Sequence, residues 1–172
     1  YFITITELLN YGDVSRLTRE YLKTNGANHD QMNPTIRSKI IFGVASILKK
    51  MHKENAIFRD LKLRKIGLND KYEPVFLYNQ LAKIIIDPLN MTMNIGTPLY
   101  MAPELFIDND DGYSFPVDVY SYGFLILSMF TNNIKINGKL SQSTQRFMMM
   151  ISKGYRPEKP DLMPEIYWDL IQ

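Results

Sequence analysis

The side chains able to do chemistry in this 172-residue chain are few in kind. Cysteine is absent, so disulfides and thiolate metal sites are excluded, which suits a reducing compartment such as the cytoplasm. His29 and His52 are the only imidazoles. A metal site would therefore rest on carboxylates, which favour hard divalent cations such as magnesium. Two clusters of functional side chains stand out. Phe58-Arg59-Asp60-Leu61-Lys62 sets a carboxylate between two cations, and Gly96-Thr97-Pro98-Leu99-Tyr100-Met101-Ala102-Pro103-Glu104 joins a turn glycine, two prolines, a hydroxyl and a second carboxylate.

These clusters must be held by the elements around them, and the hydrophobic pattern predicts which. Phe2 to Thr6 alternates and is β-branched, as a strand would. Gly12-Asp13 breaks the chain and offers Asp13 as the cap of a short helix to about Leu22, followed by a polar loop from Lys23 to Gln31. Asn33-Pro34 starts a long amphipathic helix, with Ile36, Ile40, Val44, Ile47, Leu48 and Met51 at helical spacing to near His52. Short strands are expected at Ile66–Leu68 and Val75–Leu77 around the turn Asn69-Asp70. Pro116 to Phe130 reads as a helix apolar nearly all round, hence central. Gln145–Ile151 and Ile166–Ile171 are shorter helices, and Met148-Met149-Met150 reads as helix packing before it reads as a partner groove. The fold class expected is α+β, a mainly helical half-domain with one strand at its entrance and a small β patch.

Composition limits the partners. A 45% apolar share is ordinary for a globular chain, and a net charge of +2 gives no argument for a nucleic-acid or membrane partner. Phe124 to Phe130 is the densest apolar run, far below the ~20 residues that span a bilayer. No linker or repeat divides the chain, and it opens at Tyr1 without an initiator methionine or a signal peptide. A single partial domain, residues 1–172, with its natural start upstream is expected.

In their order along the chain these segments resemble a eukaryotic-type protein kinase. Phe58 to Lys62 is similar to the catalytic loop of serine/threonine kinases, and Gly96 to Glu104 to their substrate-facing segment. Thr6-Glu7-Leu8-Leu9-Asn10-Tyr11-Gly12 resembles the gatekeeper and hinge, and Asp118-Val119-Tyr120-Ser121-Tyr122-Gly123 the start of the central helix. Gly154-Tyr155-Arg156-Pro157 and Tyr167-Trp168-Asp169-Leu170-Ile171 resemble late helices of the tyrosine-kinase-like group. The resemblance implies the C-terminal lobe of a kinase fold, from hinge to late helices. It places the small lobe before Tyr1 and the last helix after Gln172.

The resemblance also implies roles. Asp60 is the aspartate that orients a substrate hydroxyl, with Lys62 and Thr97 beside it as in Ser/Thr-specific enzymes. Thr6, Glu7 and Leu9 fall where the hinge meets adenine. Asp118 anchors the loop backbone, Glu104 pairs with an arginine beyond Gln172, and Arg59 receives a loop phosphate, with Thr92 as the candidate. The magnesium half departs from the pattern. Lys65 stands five residues after Asp60, where the family has an asparagine ligand. An ammonium has no lone pair and would repel a dication at ~4 Å by roughly 8 kcal/mol at an effective dielectric near 20. The family's usual separation, about eighteen residues, puts the second metal aspartate at Tyr78, in Tyr78-Asn79-Gln80. A neutral phenol is a poor ligand for magnesium. A rival register uses Asp87 and needs a nine-residue insertion. Phe58 replaces the loop histidine and is most simply a core substitution.

The expectation is a pseudokinase that binds a protein partner or protein substrate, with room for weak or metal-independent ATP binding and no magnesium site. The alternatives are a working ATP-dependent Ser/Thr kinase and a decayed copy.

Overall fold

The computed structural model describes residues 8–23, 32–77, 81–85, 96–106, 113–132, 134–136, 139–140 and 143–172. Helix α1 spans Val14–Lys23, α2 Pro34–Lys53, α3 Pro116–Ser128, α4 Thr144–Ser152 and α5 Glu165–Ile171. Among the described residues six short strands lie between α2 and α4: β1 Ala56–Ile57, β2 Ile66–Leu68, β3 Pro74–Phe76, β4 Lys83–Ile84, β5 Lys135–Ile136 and β6 Lys139–Leu140. They form three antiparallel pairs, β1 with β4, β2 with β3 and β5 with β6. This is the expected α+β arrangement, helices first with a β patch set among them.

The start signals work as their chemistry dictates. Asp13 Oδ1 accepts the Arg16 N–H at 3.1 Å, and Asn33 Oδ1 accepts the Ile36 N–H at 3.0 Å, each satisfying an orphan donor of a first helical turn. Pro34 follows Asn33 in the first turn, where its missing N–H costs nothing. The helix boundaries differ from the predicted ones by a residue or two. At the end of α3 the difference is physical, because Met129 and Phe130 close the helix with turn-type bonds to Ile126 and Leu127. The strand expected at Phe2–Thr6 lies outside the described residues.

Helices α2 and α3 carry the core. Ile40, Ile41 and Val44 of α2 pack with Phe124, Leu125, Ile126 and Leu127 of α3 and with Ile66 and Leu68 of β2. Tyr122 donates its hydroxyl to the Ile41 carbonyl at 2.8 Å, tying the two helices edge to edge. The first half of α3 is less enclosed than its apolar sequence predicts. Val119 is 59% exposed beside a groove that Tyr122, Trp168 and Ile171 also line.

The β2–β3 hairpin is pressed onto α2 by a missing side chain. A Cβ at Gly43 would stand 2.3 Å from Pro74 Cγ, so only glycine lets β3 lie this close to the helix. The hairpin register sets Ile66 opposite Phe76 and Leu68 opposite Pro74. The predicted second strand, Val75–Leu77, is thus displaced by one residue toward its N-terminus.

Candidate functional site

Strand β1 delivers the chain into the loop 58–62, and this loop is held by a side chain from far along the sequence. Asp118, fully buried in the first turn of α3, accepts the N–H of Phe58 through Oδ2 and the N–H of Arg59 through Oδ1, both at 2.8 Å. His52, in the last turn of α2, lies 2.9 Å from the same Oδ2 through Nε2. A buried carboxylate is tolerated only with such partners. The clamp forces Arg59 into a left-handed conformation, φ 67°, which a side-chain-bearing residue seldom adopts.

Arg59 is itself buried. Its Nε donates to the Leu81 carbonyl and its Nη1 to the Tyr113 hydroxyl at 3.1 Å. The guanidinium therefore joins three stretches of chain, with two of its five donors engaged among the described residues. Thr92, the residue expected to carry a phosphate toward it, lies outside the described residues. Tyr113 could not have been foreseen as a partner, since no local pattern links positions 54 residues apart.

The next residue is Asp60. Lys62 Nζ lies 2.9 Å from both of its carboxylate oxygens, and Thr97 Oγ1 donates to Oδ1 at 2.8 Å. Lys62 also donates to Thr97 Oγ1 at 2.6 Å, which closes a triangle of hydrogen bonds. Thr97 is brought in by Gly96, whose φ of +127° and close approach both require glycine. A Cβ there would sit 2.9 Å from the Arg59 carbonyl oxygen. Behind it the turn Pro98–Tyr100 is docked onto α3, with Ser121 Oγ 2.7 Å from the Tyr100 carbonyl. An ionised Asp60 in this setting can accept a proton or orient a hydroxyl, while Lys62 balances its charge.

Phe58 turns inward, nearly fully buried, and meets Phe76 edge to face with ring centroids 4.6 Å apart. Glu104 sits half-buried in the turn Pro103–Leu105. Burial pushes the hydroxyl of nearby Tyr120 above its usual range; Arg156 works the other way, and the Glu104 charge adds a smaller push upward.

After the loop, Lys65 closes the turn Leu63–Lys65 and β2 begins. Leu77 N–H donates to the Lys65 carbonyl at 2.8 Å, which extends the β2–β3 ladder by one rung. Position 78 therefore follows directly on a residue bonded to Lys65. On the far side of residues 78–80 the chain is held at Leu81 by Arg59, and β4 then pairs with β1, Ala56 opposite Ile84. By Ile85, whose N–H donates to the Asn55 carbonyl at 2.7 Å, it has run back past the entrance of the loop. Tyr78 and Asp87 themselves lie outside the described residues. Among the described residues no group of three or more His, Asp or Glu could hold a metal ion.

A loop clamped by a helix-start aspartate, its own aspartate bonded to a lysine and a threonine, and a Gly-Thr-Pro segment folded over both match a known family. The protein kinase domain model matches residues 1–169. This chain belongs to the protein kinase family. A probable serine/threonine-protein kinase of Dictyostelium discoideum is 29% identical over 170 residues, 98% of this chain and 12% of the relative. The dual serine/threonine and tyrosine protein kinase of Xenopus laevis is 27% identical over 138 residues, 79% of this chain and 14% of the relative. A second probable serine/threonine-protein kinase of D. discoideum, 25% identical, covers 98% of the chain and 32% of its own length. The chain thus spans well under half of the relatives it matches.

In chain order the β2–β3 hairpin follows the loop 58–62 and β4 follows residues 78–80. Thr6 and Glu7, two of the residues expected at the hinge, lie outside the described residues. Leu9 is described, and its carbonyl accepts the Gly12 N–H at 3.0 Å in a turn that lies over β2. Its side chain points down onto Gly67. No helix among the described residues is long and apolar enough to cross a membrane.

Proposed function

We propose that this kinase domain is a pseudokinase of the tyrosine-kinase-like group, a cytoplasmic module that binds a protein partner and signals by binding or allostery. Any nucleotide it binds is held without magnesium. The observation that carries this reading is Lys65. An ammonium stands where the family has one metal ligand, and the sequence carries a tyrosine at position 78, where the family has the other. The Asp87 register finds less support, because β4 and Ile85 have already carried the chain back toward Asn55 before residue 87 is reached.

The working-kinase reading draws on one specific observation, the closed triangle of Asp60, Lys62 and Thr97. That half of the site is arranged as a Ser/Thr kinase needs it. The two readings separate in a transfer assay on the full-length protein with radiolabelled ATP and magnesium. The pseudokinase reading expects no transfer above background. Transfer that Asp60→Asn abolishes would overturn it.

Thermal shift adds a second test. Nucleotide at 100 times its dissociation constant should stabilise the protein by ~2.7 kcal/mol. The shift should be the same in EDTA as in magnesium. The double variant Lys65→Asn, Tyr78→Asp should acquire a magnesium-dependent component if both positions belong to the lost metal site.

A further inference from the structure

Gly67 stands in the middle of β2, where glycine weakens a strand, and its backbone is not in the left-handed region that would call for glycine. The reason for it is space. A Cβ at residue 67 would lie 2.2 Å from Leu9 Cδ1, 3.5 Å from Leu9 Cγ and 3.0 Å from Leu77 Cδ2. The Leu9 side chain thus occupies the volume in which a side chain at residue 67 would begin.

Backbone bonds hold Leu9 there. The Leu9 carbonyl accepts the Gly12 N–H at 3.0 Å, and the Gly12 carbonyl accepts the Leu68 N–H at 3.2 Å. Asp13 and Gly67 form an isolated antiparallel bridge. Leu8, next in the chain, is 87% exposed, so only Leu9 turns inward. Along β2 the fully buried Ile66 and Leu68 face the core, and strand alternation sets Gly67 on the opposite side. That second side runs from the loop of Asp60 to the hinge end under Leu9. In the kinase reading, this is the side that the base of a nucleotide would face.

We propose that Leu9 is a built-in occupant of the base end of the cleft, seated on Gly67 where the ring of a purine nucleoside would stack. A purine enters only when the Leu9 side chain swings away. The inference rests on the kinase reading of the cleft, in which the hinge end receives the base. It makes nucleotide binding weak by competition at the base, independently of the metal defect at the phosphate end.

The test is calorimetric titration of adenosine, in EDTA, into the full-length protein and its Leu9→Ala variant. Adenosine carries no phosphate, so its binding is indifferent to the state of the metal site. Leu9→Ala is expected to bind adenosine at least tenfold more tightly than the parent. Equal or weaker binding by a folded Leu9→Ala protein overturns the proposal. Should that variant fail to fold, Gly67→Ala decides, since its methyl group must push Leu9 outward. Tighter adenosine binding then supports the proposal and unchanged or weaker binding refutes it. Magnesium-dependent phosphate transfer by the parent protein would sink the pseudokinase reading and leave this comparison intact.

Discussion

Gly96 shows how a single residue sets the site. Its φ of +127° is a conformation that side-chain-bearing residues rarely adopt, and the Arg59 carbonyl leaves no room for a methyl group. The adjoining Thr97 reaches Asp60 only because of this close approach. Gly96→Ala should therefore cost about 2 kcal/mol of stability, from strain and contact together. It should also pull Thr97 away from Asp60. Chemical denaturation reads the first effect and the Thr97 chemical shifts read the second. An unchanged midpoint would contradict the argument. Asp60, Lys62, Thr97 and Asp118 were all legible as residues, because each sits in a short motif. His52 and Tyr113 were not, since their partners lie 66 and 54 residues away and no periodicity connects them.

Between elements, the contact of α2 with α3 carries a titratable group. Burial pushes the Tyr122 hydroxyl up to about 12, and its proton is donated to the Ile41 carbonyl. Below pH ~10 the phenol is neutral whether the chain is folded or unfolded, so the contact is fully available. Above that, the unfolded chain ionises first, and stability falls until the folded Tyr122 ionises near pH 12. Tyr100 and Tyr120 are raised mainly by burial as well and act in the same direction. Tyr122→Phe should lose about 1 kcal/mol at neutral pH with its hydrogen bond, and should flatten the alkaline fall measured by denaturation at several pH values. A fall as steep as the parent's would show that Tyr122 is not the group responsible. The helices themselves were legible, because Asn33-Pro34 and Asp13 are start signals with a local mechanism. The pairing of β1 with β4 was not, as two-residue strands carry no pattern.

Across the whole molecule, burial is uneven. Leu125, fully buried between α2 and α3, belongs to the main core, whereas Leu170 on α5 is 55% exposed. Leu125→Ala should cost about 3 kcal/mol, and Leu170→Ala less than about 1 kcal/mol. Equal costs in urea titrations would mean that the late helices are as much a part of the cooperative unit as the centre.

By itself, the order of short motifs was enough to name the kinase family, and residue type put an ammonium at position 65 and a phenol at position 78, the two substitutions on which the pseudokinase proposal rests. Tertiary structure decided what those residues touch. It brought Asp118 to the backbone of the loop, closed Asp60 with Lys62 and Thr97, and laid Leu9 over Gly67. Such contacts join residues dozens of positions apart through packing that only the folded chain possesses, so no local spacing can announce them.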